Sequence, residues 1–429
     1  MLENLRYLHK IRWFNVHGVD PLSMHEAPLF LRHAARVRFL HLSPSYACDQ
    51  YFHLLNVFIG TYVFPKLLVL DCRELRDTRI LHLFLSPTLR RCNLPVSHSN
   101  LKFIETYCPV LESLSIHTDS CSTDELSLLS GTVRSCKRLV DLRCFQLDFA
   151  AWKHLANLAT LLTVNIQEVW CASYQPLGWD HLYFARFLNL TTLIFDVEES
   201  ADVITILQHS EFPSLKIFRM DVFVLPWTMT EQLFCALSSC KGSDTLECID
   251  IASDSESPVV ELSNIPMLVI KQFLPFHRLQ TLSLHLHHGI YLDNDLLLEV
   301  MSSWPDIREL EITGMRDLDD YSQHPVTFRG LSVALPMCPR LHSLQLSMDA
   351  TNIDIDIGAE SFQHTSLEWL YLVSDVQDPY AVARIIFSMF PSIKKVEGYD
   401  ESPWFEVNRY LKDFATHGRC IEEEPSPMT

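Results

Sequence analysis

The sequence predicts an α/β repeat solenoid of about 13–14 units, with parallel strands on the concave face and helices on the convex face of an irregular right-handed horseshoe. Three observations predict it. A short apolar phrase recurs along the chain, a proline often stands at a fixed offset before it, and stretches with helix caps lie between successive copies. The phrase is L-x-x-L-x-L, with Ile, Val, Phe, Met or Cys substituting. It begins at Val37, Leu40 and Leu42 and continues through Leu67, Leu70 and Cys72, Leu89, Cys92 and Leu94, and Leu111, Leu114 and Ile116. Later copies include Leu279, Leu282 and Leu284, Ile307, Leu310 and Ile312, and Leu367, Leu370 and Leu372. The last is a decayed copy at Ile393 and Val396, with Gly398 in the third place. First positions recur on average about every 27 residues, the spacing of leucine-rich repeats.

Proline supplies the second observation. It sits two residues before the first position in the copies led by Pro65, Pro87, Pro109, Pro213, Pro305, Pro339 and Pro391. A proline cannot continue a helix and biases its predecessor towards extended backbone, so it marks the passage from helix to strand. Cap signals supply the third. Ser122 to Glu125 and Thr228 to Glu231 are capping-box patterns ahead of apolar residues at helical spacing. Asp293 precedes Leu296, Leu297, Val300 and Met301, and Asp378-Pro379 reads as an N-cap followed by proline at the first helical position. Each unit is therefore strand, turn, helix, turn. Alternation puts positions one, four and six of the phrase in the core, and no single unit could bury its apolar face alone.

The ends depart from the repeat. Residues 1–36 read as a cap: Leu2, Leu5, Leu8 and Ile11 are helically spaced, Trp13 and Phe14 follow, and Leu29 to Leu31 precede the first strand. The solenoid spans 37–400. Residues 401–429 form a second cap, with Trp404-Phe405, a short helix near Val407 to Phe414 and an acidic tail from Glu422. The polar run Ser253 to Ser257 reads as a loop.

Composition narrows the function. The formal net charge is -19, and a phosphate backbone would be repelled by that field, which argues against nucleic-acid binding. The 13 cysteines are odd in number and include no C-x-x-C pair. Cys72, Cys92, Cys144 and Cys248 fall in strand-like runs, where Cys serves as a small buried hydrophobe. A reducing cytoplasmic or nuclear compartment is the expectation. No stretch approaches the roughly 20 apolar residues of a membrane span. Phosphate-binding glycine loops, a nucleophile elbow and zinc spacings are all missing, so no catalytic residue, metal or cofactor is expected. In the densest histidine cluster, His285, His287 and His288, alternation puts His285 and His287 with Ser283 on an exposed strand edge. His17 to Asp20 reads as a turn.

What remains is a binding surface. Positions +2, +4 and +6 from each first Leu point to the concave face. They present Asp71, Arg73, Asp141, Arg143 and Phe145 early, and Arg219, Asp221 and Asp250 in the middle. Glu309, Glu311, Gln345, Trp369, Tyr371, Lys395, Glu397 and Tyr399 come late. The candidate partner-binding set is Asp141, Arg143, Arg219, Asp221, Glu309, Glu311, Trp369 and Tyr371. The aromatics invite a protein partner, unless Trp404-Phe405 folds back over them. The Asp/Arg set favours ladders between neighbouring strands.

Cys108-Pro-Val-Leu-Glu-Ser-Leu-Ser-Ile116 and Cys338-Pro-Arg-Leu-His-Ser-Leu-Gln-Leu346 resemble phrases of fungal F-box proteins with leucine-rich repeats, as does Phe30 to Leu42. The resemblance covers about residues 1–400. It implies that the repeats hold a protein substrate for ubiquitin transfer while an N-terminal F-box docks on the Skp-type adaptor of a cullin ligase. Two departures stand out. No F-box pattern occurs, residues 1–36 resembling the stretch that follows one, and the asparagine expected eight positions after the first Leu is replaced, for example by Asp119 and Asp349. The alternative is a free-standing repeat scaffold or decoy unconnected to ubiquitin transfer.

Overall fold

Ladder residues fix the architecture. The computed structural model describes residues 10–11, 26–42, 62–72, 78–118, 121–167, 185–242, 244–255, 269–287, 290, 292–314, 326–355, 362–398 and 401–421. Leu2, Leu5, Leu8, Trp13, Phe14, the His17 to Asp20 turn, Arg73, Asp119, Glu256, Ser257, His288, Tyr399 and the tail from Glu422 lie outside them. The chain forms two compact units, the first Met1–Val197 with His209–Phe212, the second Glu198–Gln208 with Pro213–Thr429. In both, the strands run parallel, each hydrogen-bonded to the next copy's strand, with helices alongside, as a leucine-rich-repeat solenoid requires.

In the first unit the strands are β1 (Lys10–Ile11), β2 (Phe39–His41), β3 (Val69–Asp71), β4 (Arg91–Pro95), β5 (Ser113–His117), β6 (Asp141–Phe145) and β7 (Thr163–Gln167). A two-residue β8 (Ala185–Arg186) follows, then β9 (Thr192–Glu199), whose residues up to Val197 belong to this unit. The short β10 (Ser210–Glu211) pairs with β8. The second unit holds β11 (Ile217–Val224), β12 (Cys248–Ser255), β13 (Thr281–His285), β14 (Glu309–Thr313), β15 (Ser343–Ser347), β16 (Trp369–Val373) and β17 (Lys395–Gly398). Among the described residues no helix is long and apolar enough to cross a membrane.

The apolar phrase faces inward in every copy but the last, whose Ile393 is half-exposed. Leu114, Leu142, Leu193, Leu282, Leu310 and Leu370 are buried in the fourth place, and Ile116, Cys144, Leu284 and Ile312 in the sixth. Successive copies are locked by one repeated backbone arrangement. The N–H groups of Glu112 and Ser113 both donate to the Arg90 carbonyl, those of Val140 and Asp141 to Glu112, and those of His342 and Ser343 to Arg308. Threonine just before the first Leu adds a side-chain rung: Thr88, Thr160 and Thr245 donate to the carbonyls of Leu67, Leu139 and Leu215 at 2.9, 2.7 and 2.8 Å. The seven marker prolines all lie in turns a few residues ahead of a ladder strand.

Helices form where their caps direct. Ser122 closes a reciprocal capping box with Glu125 ahead of the helix Thr123–Ser135. The Asp293 carboxylate accepts from Leu296 N at 2.7 Å, and Asp378 accepts from Tyr380 N and Ala381 N. Thr228 departs from expectation. The helix begins at Trp227, with Pro226 at the cap and no side-chain cap bond. Burying Trp227 within the first turn brings Thr228 inside the helix, where its hydroxyl cannot cap, and burial outweighs a local motif of about 1 kcal/mol.

Three other expectations are corrected. Lys10–Ile11 is a strand parallel to Phe39–Leu40, so helical spacing does not extend to Ile11. Ser253 to Ser255 continue β12, held by pairing of Val222 with Ser253 and Val224 with Ser255 on the long neighbour β11. The C-terminal helix is Glu401–Ile421, far longer than the segment near Val407 to Phe414. Its Trp404, Val407 and Leu411 face inward at helical spacing. The Asn408 side chain accepts from Val396 N at 3.1 Å and donates to Val396 O at 2.6 Å. One amide thus satisfies both backbone groups of Val396 on the edge strand, which would otherwise invite a further strand.

Buried cysteines complete the interior. Burial pushes the Cys108, Cys136 and Cys338 thiols up to about 12, so they stay protonated and are poor nucleophiles and metal ligands. Cys248 differs from its expected place: it is half-buried on the strand face beside Arg219, since β12 begins there and the position precedes the inward Ile249.

Candidate partner-binding surface

Outward residues alternate with the ladder, and neighbouring strands lie about 4.8 Å apart, so each side chain reaches its cross-strand partner. On the first unit, Ser113 Oγ donates to Asp141 Oδ2 at 3.1 Å, while Arg143 Nε donates to Gln167 Oε1 at 3.2 Å. Gln167 Nε2 in turn donates to Asp196 Oδ2 at 3.4 Å. Asp141 and Arg143, adjacent in the candidate set, therefore engage different neighbours. His41 Nδ1 lies 3.1 Å from Asp71 Oδ2. Phe145 is 3% exposed and belongs to the core, not to the surface where alternation put it. It is the last residue of β6, where the chain leaves the ladder and a large apolar side chain turns inward.

The second unit carries the richer face. Arg219 Nε stands 3.7 Å from Asp250 Oδ2, an ion pair between β11 and β12, and Asp221 is exposed two residues on. Thr281 donates to Glu309 Oε2 at 3.3 Å and Ser283 to Glu311 Oε2 at 3.1 Å. Glu309 is in register with Ser343 and then Trp369, and Glu311 with Gln345 and then Tyr371. The fold thus gathers four of the eight candidates onto three consecutive strands. Trp369 is 48% exposed and Tyr371 half-buried. Trp404 does not cover them: it is buried against Gly398, and its helix packs on β17 and on the helix Pro379–Met389. Lys395 pairs with Glu397 on β17.

The histidine cluster differs from its expectation. His287 and Ser283 are buried, and only His285 is half-exposed. His285 Nε2 lies 3.2 Å from Glu311 Oε2 and its Nδ1 2.8 Å from Thr313 Oγ1. The same offset rule reaches Thr313, but a strand-by-strand reading did not show that it would meet His285 across the sheet. The hydrogen bond to Glu311 raises the His285 pKa against the opposing effect of burial, and that same bond lowers the Glu311 pKa. Hydroxyl, imidazole and carboxylate stand in the order of a nucleophilic relay. Here the Thr313 hydroxyl, His285 and Glu311 join β13 to β14, and the Ser283 hydroxyl is a second donor to Glu311. Among the described residues no group of three or more His, Cys, Asp or Glu could hold a metal ion.

This contact gives a pH prediction. A raised imidazole pKa stabilises the fold fully below its ordinary value, and the benefit is lost as pH rises through the raised one. A lowered carboxylate pKa stabilises fully above its ordinary value, and that benefit is lost as pH falls through the lowered one. Both operate together in the weakly acidic range. His285→Asn should cost most at about pH 5–6 and progressively less towards about pH 8. Because the pair is partly solvated, the cost stays below about 1 kcal/mol. Urea unfolding of both proteins at the two pH values checks it, and an equal gap at both would refute the pairing.

No protein-family model matches the chain, and no curated protein matches it in sequence. Among solved structures it is similar to yeast Rad7 in the crystal structure of its complex with Elc1, at 14% identity and a TM-score of 0.32. The match covers 70% of this chain and 83% of that one.

Proposed function

We propose that the chain is a protein-binding repeat module and that it serves as the substrate-recognition part of an F-box-type ubiquitin-ligase receptor. The single observation that carries the binding role is Trp369, a large aromatic side chain 48% exposed on the outward face of a strand, uncovered by the C-terminal helix. Exposed aromatics beside charged groups are where binding energy concentrates. The link to ubiquitin transfer rests on the resemblance of the Cys-Pro phrases at Cys108 and Cys338 to F-box repeat proteins. If an F-box stands upstream of the repeats, it is that module which would recruit the adaptor.

Two experiments separate the parts of this reading. Photo-crosslinkers placed at Gln345 on the strand face and at Glu231 on the helix Trp227–Ser239 should capture a protein at the first site only. Trp369→Ala with Tyr371→Ala should weaken binding of that protein at least roughly tenfold, with the thermal midpoint nearly unchanged. Retained affinity would move the site elsewhere. Copurification of a Skp-type adaptor with the full-length gene product tests the ligase role, and its failure leaves the alternative, a repeat scaffold or decoy that binds without ubiquitin chemistry.

A further inference from the structure

The outward face of the second unit is unequal in charge. Among the described outward side chains, Asp221, Asp250, Glu309, Glu311 and Glu397 supply five carboxylates, while Arg219 and Lys395 are the cations. Each cation is matched on the face itself, Arg219 by Asp250 at 3.7 Å and Lys395 by Glu397. On the rim, one residue before their strands, Lys216 is matched by Glu247 and Lys394 by Glu368, and Arg308 stands beside Glu309. His285 adds positive charge only when protonated, and its Nε2 already faces Glu311. Beside this acidic region stands an aromatic one. Glu309 and Trp369 share a cross-strand row, as do Glu311 and Tyr371, with the neutral Ser343 and Gln345 of β15 between them; on the far flank Trp369 adjoins Lys395 and Tyr371 adjoins Glu397, which neutralise each other. Two strand spacings put the carboxylates roughly 10 Å from the rings, a span that an extended peptide crosses in about three residues.

Carboxylates attract a cation, and the face of an indole attracts one as well. From this juxtaposition we infer that the face binds an arginine- or lysine-bearing segment of its partner protein. One cation seats against Glu309 and Glu311, and a second lies over Trp369. The inference rests on the protein-binding reading above and adds the chemistry of what is bound. A nucleic acid is disfavoured because the same carboxylates repel its phosphates. An acidic segment is disfavoured for the same reason.

The test uses the full chain and a fluorescein-labelled Arg–Ser repeat peptide, with a Glu–Ser peptide as counterpart. Fluorescence anisotropy is read at physiological ionic strength, where diffuse attraction is screened beyond about 8 Å. Glu309→Lys and Trp369→Ala should each weaken the Arg–Ser peptide roughly tenfold. Glu231→Lys, the same charge reversal on an exposed helix residue, should change it less than about twofold. The Glu–Ser peptide should not bind. An equal loss with Glu231→Lys would reduce the attraction to net charge and overturn the inference, as would binding of the Glu–Ser peptide. A concentration-dependent dimer in sedimentation that Trp369→Ala abolishes would make a second copy of this chain the occupant, and would also overturn it. If photo-crosslinking at Gln345 succeeds while the Arg–Ser peptide shows no preference, the chemistry fails and the protein-binding reading stands.

Discussion

Replacing Leu310 with alanine is expected to destabilise the protein by about 2–5 kcal/mol, measured as a shift of the urea midpoint at unchanged slope. Leu310 is fully buried on β14, with Leu282 in register on one side and Leu344 on the other. The side chains that could close the space belong to strands fixed on both flanks by the paired N–H bonds to Gln280 O and Arg308 O. Collapse is therefore limited, and the cost includes a cavity as well as lost transfer energy. Glu311 is the next residue on the same strand but points outward, so Glu311→Ala should cost far less. A Leu310→Ala protein within about 0.5 kcal/mol of the parent would mean that the fourth place of the phrase does not hold the fold.

That contrast shows what could be read from the sequence and why. Core positions obey a period of two inside each strand and a common offset between copies, and both are local quantities. Leu114, Leu282 and Leu310 were therefore identifiable, as were the caps at Ser122, Asp293 and Asp378, which act within a few residues of themselves. The outward candidates Glu309, Glu311, Trp369 and Tyr371 follow from the same alternation. Failures begin at strand ends and where the outcome depends on something distant. Alternation puts Phe145 and Val373 on the surface, yet both are buried at strand ends, whereas the polar Gln167, Thr313 and Ser347 at equivalent places stay half-exposed. There the hydrophobicity of the side chain decides, not its parity. The meeting of His285 with Glu311 and Thr313 depends on register between two copies, which the length of the intervening segment conceals. Asn408 could not be paired with Val396 without knowing that the terminal helix lies along the last strand. The threonines before Leu89, Leu161 and Leu246 carry a readable signal of another kind, a hydroxyl at one fixed offset, which apolar periodicity does not reveal.

Restoring the repeat at its last copy is expected to damage the protein. Gly398 occupies the place that Leu372, its partner in register, fills in the preceding copy, so a consensus argument would recommend Gly398→Leu. Geometry argues the reverse. A Cβ added at Gly398 would lie 1.9 Å from Trp404 Nε1 and 2.2 Å from its Cδ1, inside any tolerable contact. Trp404 is itself 2% exposed and cannot swing into solvent without lifting its helix. The indole has taken the position of the missing ladder side chain, and the decayed phrase is what admits it. Gly398→Leu should therefore cost at least about 1–3 kcal/mol and release the Asn408 bonds that close the edge strand. Hydrogen exchange across residues 404–414 should accelerate while the amides of β13 and β14 keep their protection. Combining Gly398→Leu with Trp404→Ala should recover part of the loss, because the new leucine can then enter the ladder. A Gly398→Leu protein as stable as the parent would show that the terminal helix is not seated on this glycine, and that the last copy had lost its leucine for no structural reason.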